Sequence, residues 1–199
     1  MRRILSSLIA VSFAGVMTLA ASAQTGQDSQ DPNHSMLNAK TSPAGMTMAD
    51  QTFLKKAAQG GMAEVELGQL AVQKASSDQV KQFGQRMVDD HSKANDQLKQ
   101  LAQQEHVKLP TQPSAKDKAT KAKLENLSGK EFDEAYMSDM LKDHKKDVAE
   151  FERESKNAKD PAVKDFAQRT LPTLREHLKQ AQQISPSANT QASNGNSMR

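Results

Sequence analysis

Between residues 48 and 185 apolar residues recur at intervals of three and four, and nowhere do they alternate strictly with polar ones. Val80, Phe83, Met87, Ala94, Leu98 and Leu101 trace one such stripe, and Phe132, Tyr136, Met140, Val148 and Phe151 trace another. A spacing near 3.6 belongs to a helix that buries one face, whereas a half-buried strand needs a spacing of two. The stretch therefore reads as all-α. At about 138 residues it is enough for one domain around one core.

The punctuation divides it into four long helices. "SSD" (76–78) supplies a turn and an N-cap, and "NAKDP" (157–161) supplies another, with Asp160 as cap and Pro161 in the first helical position. The first helix runs from about Ala49 to Ala75, with Leu54, Ala58, Gly61, Val65, Gly68 and Val72 on its expected stripe. The second runs to about Glu105, the third starts after Ser128-Gly129, and the fourth ends near Ile184. Pro172 inside the fourth removes a backbone hydrogen bond and should bend it. The second and third are separated by roughly 22 residues (107–128) containing Pro110 and Pro113, of which "SAKDKATKAKLENL" suits a short helix. Two hairpins joined by one long crossover is ferritin-like connectivity. A simple up-down-up-down bundle is the alternative.

The flanks differ in kind. Residues 1–23 carry Arg2 and Arg3, an apolar stretch from Ile4 to Ala20, and Ala21-Ser22-Ala23 before Gln24. That is the pattern of a secretory signal peptide, with an uncleaved membrane anchor as its rival. Residues 24–47 and 186–199 are rich in Ser, Asn and Gln and read as disordered segments. Export to a bacterial periplasm follows, with outer-membrane association left open and no stable membrane insertion after cleavage. The formal net charge is +3, two units of which leave with Arg2 and Arg3, and aromatic residues make up 4% of the chain. Neither steers it toward nucleic acid. The absence of cysteine rules out disulfides and thiolate chemistry.

Three of the five histidines sit in one context: "VDDHSK" (88–93), "LKDHKK" (141–146) and "LREHLK" (174–179). His91 follows Met87 by four positions, His144 follows Met140 by four, and His177 follows Leu174 by three, so all three fall on inward stripes. Their acidic neighbours Asp90, Asp143 and Glu176 fall at the stripe edge, and Lys93, Lys146 and Lys179 toward solvent. At about 1.5 Å of rise per residue, His91 lies roughly 20 Å from the first turn, and His144 and His177 roughly 23–26 Å from the last. Helices of this length are about 40–44 Å long, which places all three near mid-height. Glu64 and Glu66 in the first helix reach the same level. Glu64 shares a face with Gly61 and Gly68 and is the expected inward one.

Two readings of this level stand. Glu64, His91, His144 and His177 are ligands suited to a borderline divalent transition metal, and Met87 and Met140 add soft sulfur that would favour copper. Alternatively the same groups form a hydrogen-bonded Glu–His network that only fixes helix register in a non-catalytic structural or interaction bundle. No catalytic signature accompanies them: there is no Gly-rich phosphate loop, nucleophile elbow or His-Glu-x-x-His motif.

"FLKKAAQGGMAEVELGQLAVQKASSDQVKQFGQRMVDDH", "FDEAYMSDMLKDHKKDVAEFE" and "FAQRTLPTLREHL" together resemble the bacterial envelope family called domain of unknown function 4142. The resemblance covers about residues 50–185. It implies a ferritin-like four-helix bundle and little about function, although members are often labelled outer-membrane proteins. It also implies that the acidic position of the first helix and the three histidines, here Glu64, His91, His144 and His177, belong to the family's pattern. Di-iron bundles carry Glu-x-x-His on two helices, but here the residues three before the histidines are Val88, Leu141 and Leu174. Ferroxidase chemistry is therefore not carried over from the fold.

Overall fold

The computed structural model describes residues 46–185, which form α1 (Met48–Lys74), α2 (Asp78–Gln104), α3 (Ala115–Glu125), α4 (Gly129–Asn157) and α5 (Pro161–Ile184). The expected signal peptide, the 186–199 tail and nearly all of the 24–47 segment lie outside the described residues. The helix count needs correction from four to five. The crossover holds its own helix because Ser114 and Asp117 close a capping box, while Leu124 gives α3 one buried anchor. Thr47 belongs to the domain, since its side chain accepts the Asp50 N–H and caps α1.

The stripe expected for α1 is also corrected. Leu54, Ala58, Gly61 and Gly68 are buried as expected, but Val72 is exposed (37%) and the helix also buries Phe53, Leu67, Leu70 and Ala71. α1 lies between α2 and α4, so it presents a broad face to two neighbours rather than one narrow stripe.

Hydrogen bonds at the two ends settle the connectivity. α1 packs along α2 and α4 along α5; α2 also meets α5, α1 meets α4, and α3 rests on α1 and α4. Near the start of α4, Asp133 accepts the N–H groups of Ser76 (3.0 Å) and Ser77 (2.9 Å) and the Ser76 hydroxyl. At the opposite end Asp50, in the first turn of α1, accepts the N–H groups of Lys159 (3.2 Å) and Asp160 (3.3 Å). α4 therefore starts where α1 ends and runs in the direction of α2, and the crossover travels the length of the bundle. The up-down-up-down alternative is excluded. Every neighbouring pair of long helices is antiparallel, which sets their dipoles favourably.

These reciprocal clamps follow from an internal repeat. "VKQFGQR" (80–86) recurs as "VKDFAQR" (163–169), 83 positions on. The same offset relates the N-caps Ser77 and Asp160, the C-caps Ala75 and Ala158, and the clamps Asp50 and Asp133. The bundle is thus two copies of one helical hairpin about an approximate twofold axis, each copy holding the other's turn.

Close approach of α1 and α2 depends on two glycines. A Cβ on Gly68 would stand 2.6 Å from the Gly84 carbonyl oxygen, and one on Gly84 would stand 2.8 Å from the Ala71 Cβ. The apolar interior falls into two clusters. One surrounds Phe83, Phe132, Tyr136 and Met140, and the other surrounds Phe53, Leu98, Phe151 and Phe166. Between them runs a polar level.

Candidate metal centre

The polar level contains Glu64 from α1, His91 from α2, His144 from α4 and His177 from α5, all buried. His144 and His177 are both 0% exposed, His91 7% and Glu64 4%. Glu64 is the inward acid of its pair, while Glu66 reaches out to Lys121 at 2.9 Å. The three imidazoles converge, each offering a ring nitrogen within 4.8 Å of the other two.

Their hydrogen bonds fix which nitrogens carry protons. A carbonyl can only accept, so His144 donates from Nδ1–H to the Met140 carbonyl at 3.0 Å. His177 donates from Nε2–H to the Asp90 carboxylate at 2.9 Å. Burial, followed by the charge of its neighbours His144 and His177, lowers His91 to about 3. Burial and then His177 lower His144 to about 4. His177 is lowered by burial, against the opposing pull of Asp90. All three rings are therefore neutral at neutral pH. His144 Nε2 and His177 Nδ1, 3.3 Å apart, then present two lone pairs to each other with no proton between them. His91 Nε2, in the same group, has no hydrogen-bond partner.

Glu64 stands apart from this convergence. Its Oε1 approaches His144 from the Nδ1 side at 3.9 Å, and its Oε2 has no partner. Burial, then the charges of Asp147 and Asp143, raise its carboxyl well above the usual range. Asp147 is itself raised to about 7, chiefly by burial. Met87 and Met140, the sulfur candidates, are fully buried members of the Phe83 cluster.

Two functional neighbours escaped sequence reasoning. Asp90, assigned to a stripe edge, reaches across to α5 and holds His177. Asp147 is the repeat partner of Glu64, 83 positions on, and the "VKxFxQR" repeat was the signal that could have found it. The histidines themselves break the repeat: His91, His144 and His177 correspond to Leu174, Gly61 and Ala94. The site lies where the two copies have diverged.

The family model described as Domain of unknown function (DUF4142) matches residues 35–184. The chain belongs to the DUF4142 family. No curated protein and no solved structure matches this DUF4142 chain. Among the described residues no helix is long and apolar enough to cross a membrane.

Proposed function

We propose that this DUF4142 protein is an exported, periplasmic binder of a divalent transition metal, held by His91, His144 and His177. The observation that carries the reading is the 3.3 Å confrontation of two unprotonated ring nitrogens. Two neutral rings repel there, whereas a tetrahedral metal with M–N bonds of about 2.0–2.1 Å sets its nitrogens about 3.3–3.4 Å apart. Ligating histidines characteristically give their second N–H to a carboxylate or a backbone carbonyl. Asp90 and the Met140 carbonyl stand in those two places. Glu64, offered by the sequence as a fourth ligand, lies behind His144 on its Nδ1 side, apart from the three converging ring nitrogens. A register-fixing network is the weaker reading, because such a network should satisfy its members and His91 Nε2 and Glu64 Oε2 are both left over. Export rests on the Arg2-Arg3 start, the apolar stretch and Ala21-Ser22-Ala23.

The test uses protein from a periplasmic extract, whose N-terminus should read Gln24; recovery only as membrane-bound chain with Met1 intact would refute export. Chelator-treated protein is melted with and without zinc, copper, iron and manganese. Binding to the folded state alone stabilises by about 2.7 kcal/mol at a hundredfold excess over Kd, a melting shift of roughly 5–10 °C. His91→Ala, His144→Ala and His177→Ala should each abolish the shift, and Asp90→Asn should weaken affinity roughly 10–100-fold. His106→Ala, beyond the end of α2, should leave it intact. A flat response to all four metals sinks the reading.

A further inference from the structure

A cavity of about 210 Å³ is lined by residues of all five helices, chiefly α1 and α4, with Ser114 and Thr120 from the crossover and His91 from α2 among them. That is room for about seven waters. Part of its wall is aromatic, with Phe53 edge-on to Phe151 at 5.0 Å and Phe166 6.0 Å from Phe151. Glu64 from α1 and Asp147 from α4 both open into it. These acids are repeat partners, one carried by α1 and the other by α4. The unpartnered Glu64 Oε2 belongs to a side chain only 4% exposed.

Three lysines line the cavity; two are engaged in ion pairs, and the third, Lys146, acts on Asp147 through its charge without an ion pair to it. Lys116 pairs with Asp143 at 3.6 Å and Lys56 with Glu150 at 3.7 Å. Among the described residues no Lys or Arg forms an ion pair with Glu64 or Asp147. Of the acids that line the cavity, Asp143 and Glu150 are paired with lysines and Asp117 caps α3, which leaves Glu64 and Asp147, with Asp139 beside them, for a ligand with cationic ends and an apolar middle. A bare ion would leave most of the volume empty, and among the described residues only the histidine trio gathers three ligand groups at one point.

We propose that this cavity binds an aliphatic diamine, with one ammonium at Glu64, the other at Asp147, and its methylenes against the Phe53–Phe151 wall. An ammonium gains both the carboxylate and the faces of the aromatic rings. The site does not depend on a metal at the histidines.

The experiment is calorimetric titration of chelator-treated mature protein with 1,5-diaminopentane, set against n-pentylamine, 1,5-pentanediol and pentanoate. Saturable one-to-one binding of the diamine is expected, roughly tenfold or more tighter than the monoamine, as a second partly buried ion pair would give. The diol and pentanoate should show no saturable heat. Glu64→Gln and Asp147→Asn should each reduce the diamine to monoamine strength, with Glu66→Gln unchanged. Should Glu64→Gln fail to fold, Asp147→Asn decides the matter, provided its circular dichroism melt stays helical and cooperative. Equal binding of diol and diamine overturns the proposal, as does an unaffected Asp147→Asn. Displacement of the diamine by equimolar magnesium or calcium overturns it as well, by assigning the acid pair to a metal. Because no metal is present, failure here leaves the histidine reading standing, and the reverse holds too.

Discussion

Replacing Asp133 with alanine removes one clamp and leaves the rest of the fold alone. The buried carboxylate accepts three hydrogen bonds from the α1–α2 turn: Ser76 N–H, Ser77 N–H and the Ser76 hydroxyl. A hydrogen bond to a charged group contributes about 1.5–3 kcal/mol, and part of each loss is recovered when the freed N–H groups meet water. A net cost of roughly 3–5 kcal/mol follows. For a domain of this size that corresponds to a melting drop of roughly 10–15 °C. Asp133→Asn keeps one acceptor oxygen, which can still serve Ser77 N–H and the Ser76 hydroxyl, so about half the loss should remain. Differential scanning calorimetry of the metal-free protein measures all three. The Ser76→Ala/Asp133→Ala double mutant should be less destabilised than the sum of the single changes, because the two side chains share a bond. A drop below about 3 °C for Asp133→Ala would refute the reciprocal-clamp account, since the turn would then hold its shape without the other hairpin.

Two further outcomes test the packing and the electrostatics. Gly84→Ala should destabilise by roughly 1–3 kcal/mol despite alanine's better helix propensity, because its Cβ meets the Ala71 Cβ at 2.8 Å and the Gly68 carbonyl at 2.9 Å. Gly60→Ala, with nothing within 4 Å of the new Cβ, should stabilise by up to about 1 kcal/mol; urea melts that show the same sign for both would contradict the contact. As for pH, His91 and His144 are depressed to about 3 and about 4, so below about 6.5 the unfolded chain takes up protons that the folded one refuses, and stability falls. Asp147, raised to about 7, works the other way, and so does Glu64. With His177 also lowered, three imidazoles oppose three acids, since burial raises Asp139 too. Each imidazole held neutral by the fold contributes a loss of up to about 1.4 kcal/mol per pH unit below about 6.5. Urea midpoints at pH 5 and 6.5 measure the balance, and His91→Leu should remove one imidazole's share of the acid loss; a pH dependence unchanged by His91→Leu would contradict the assignment.

What could be read in advance followed the reach of local periodicity. Spacings of three and four put His91, His144 and His177 on buried stripes, and helical rise put them at one height. Both steps need only the geometry of a single helix. Asp90 was misjudged because an offset of about 100° from His91 looks like an edge on α2 but points at α5 once the helices pack. α1 was read least well. Phe53, Leu67, Leu70 and Ala71 flank its centre on both sides, and a stripe drawn through Val65 and Val72 had no contrast against them. The crossover's length was legible, but its direction depended on Asp50 and Asp133 meeting turns more than 50 residues away. No window along the chain carries that information.

An 83-residue repeat whose halves hold each other's turns has the geometry of a symmetric dimer of hairpins joined in one chain. In such a dimer the clamp aspartate would cross from one molecule to its twin, making the pair obligate. Glu64 and Asp147 would be one residue seen twice. The histidine trio could not exist there in its present form, because its members occupy three unlike positions of the repeat. Joined in one chain the two halves need not be identical, and the asymmetric centre depends on that difference.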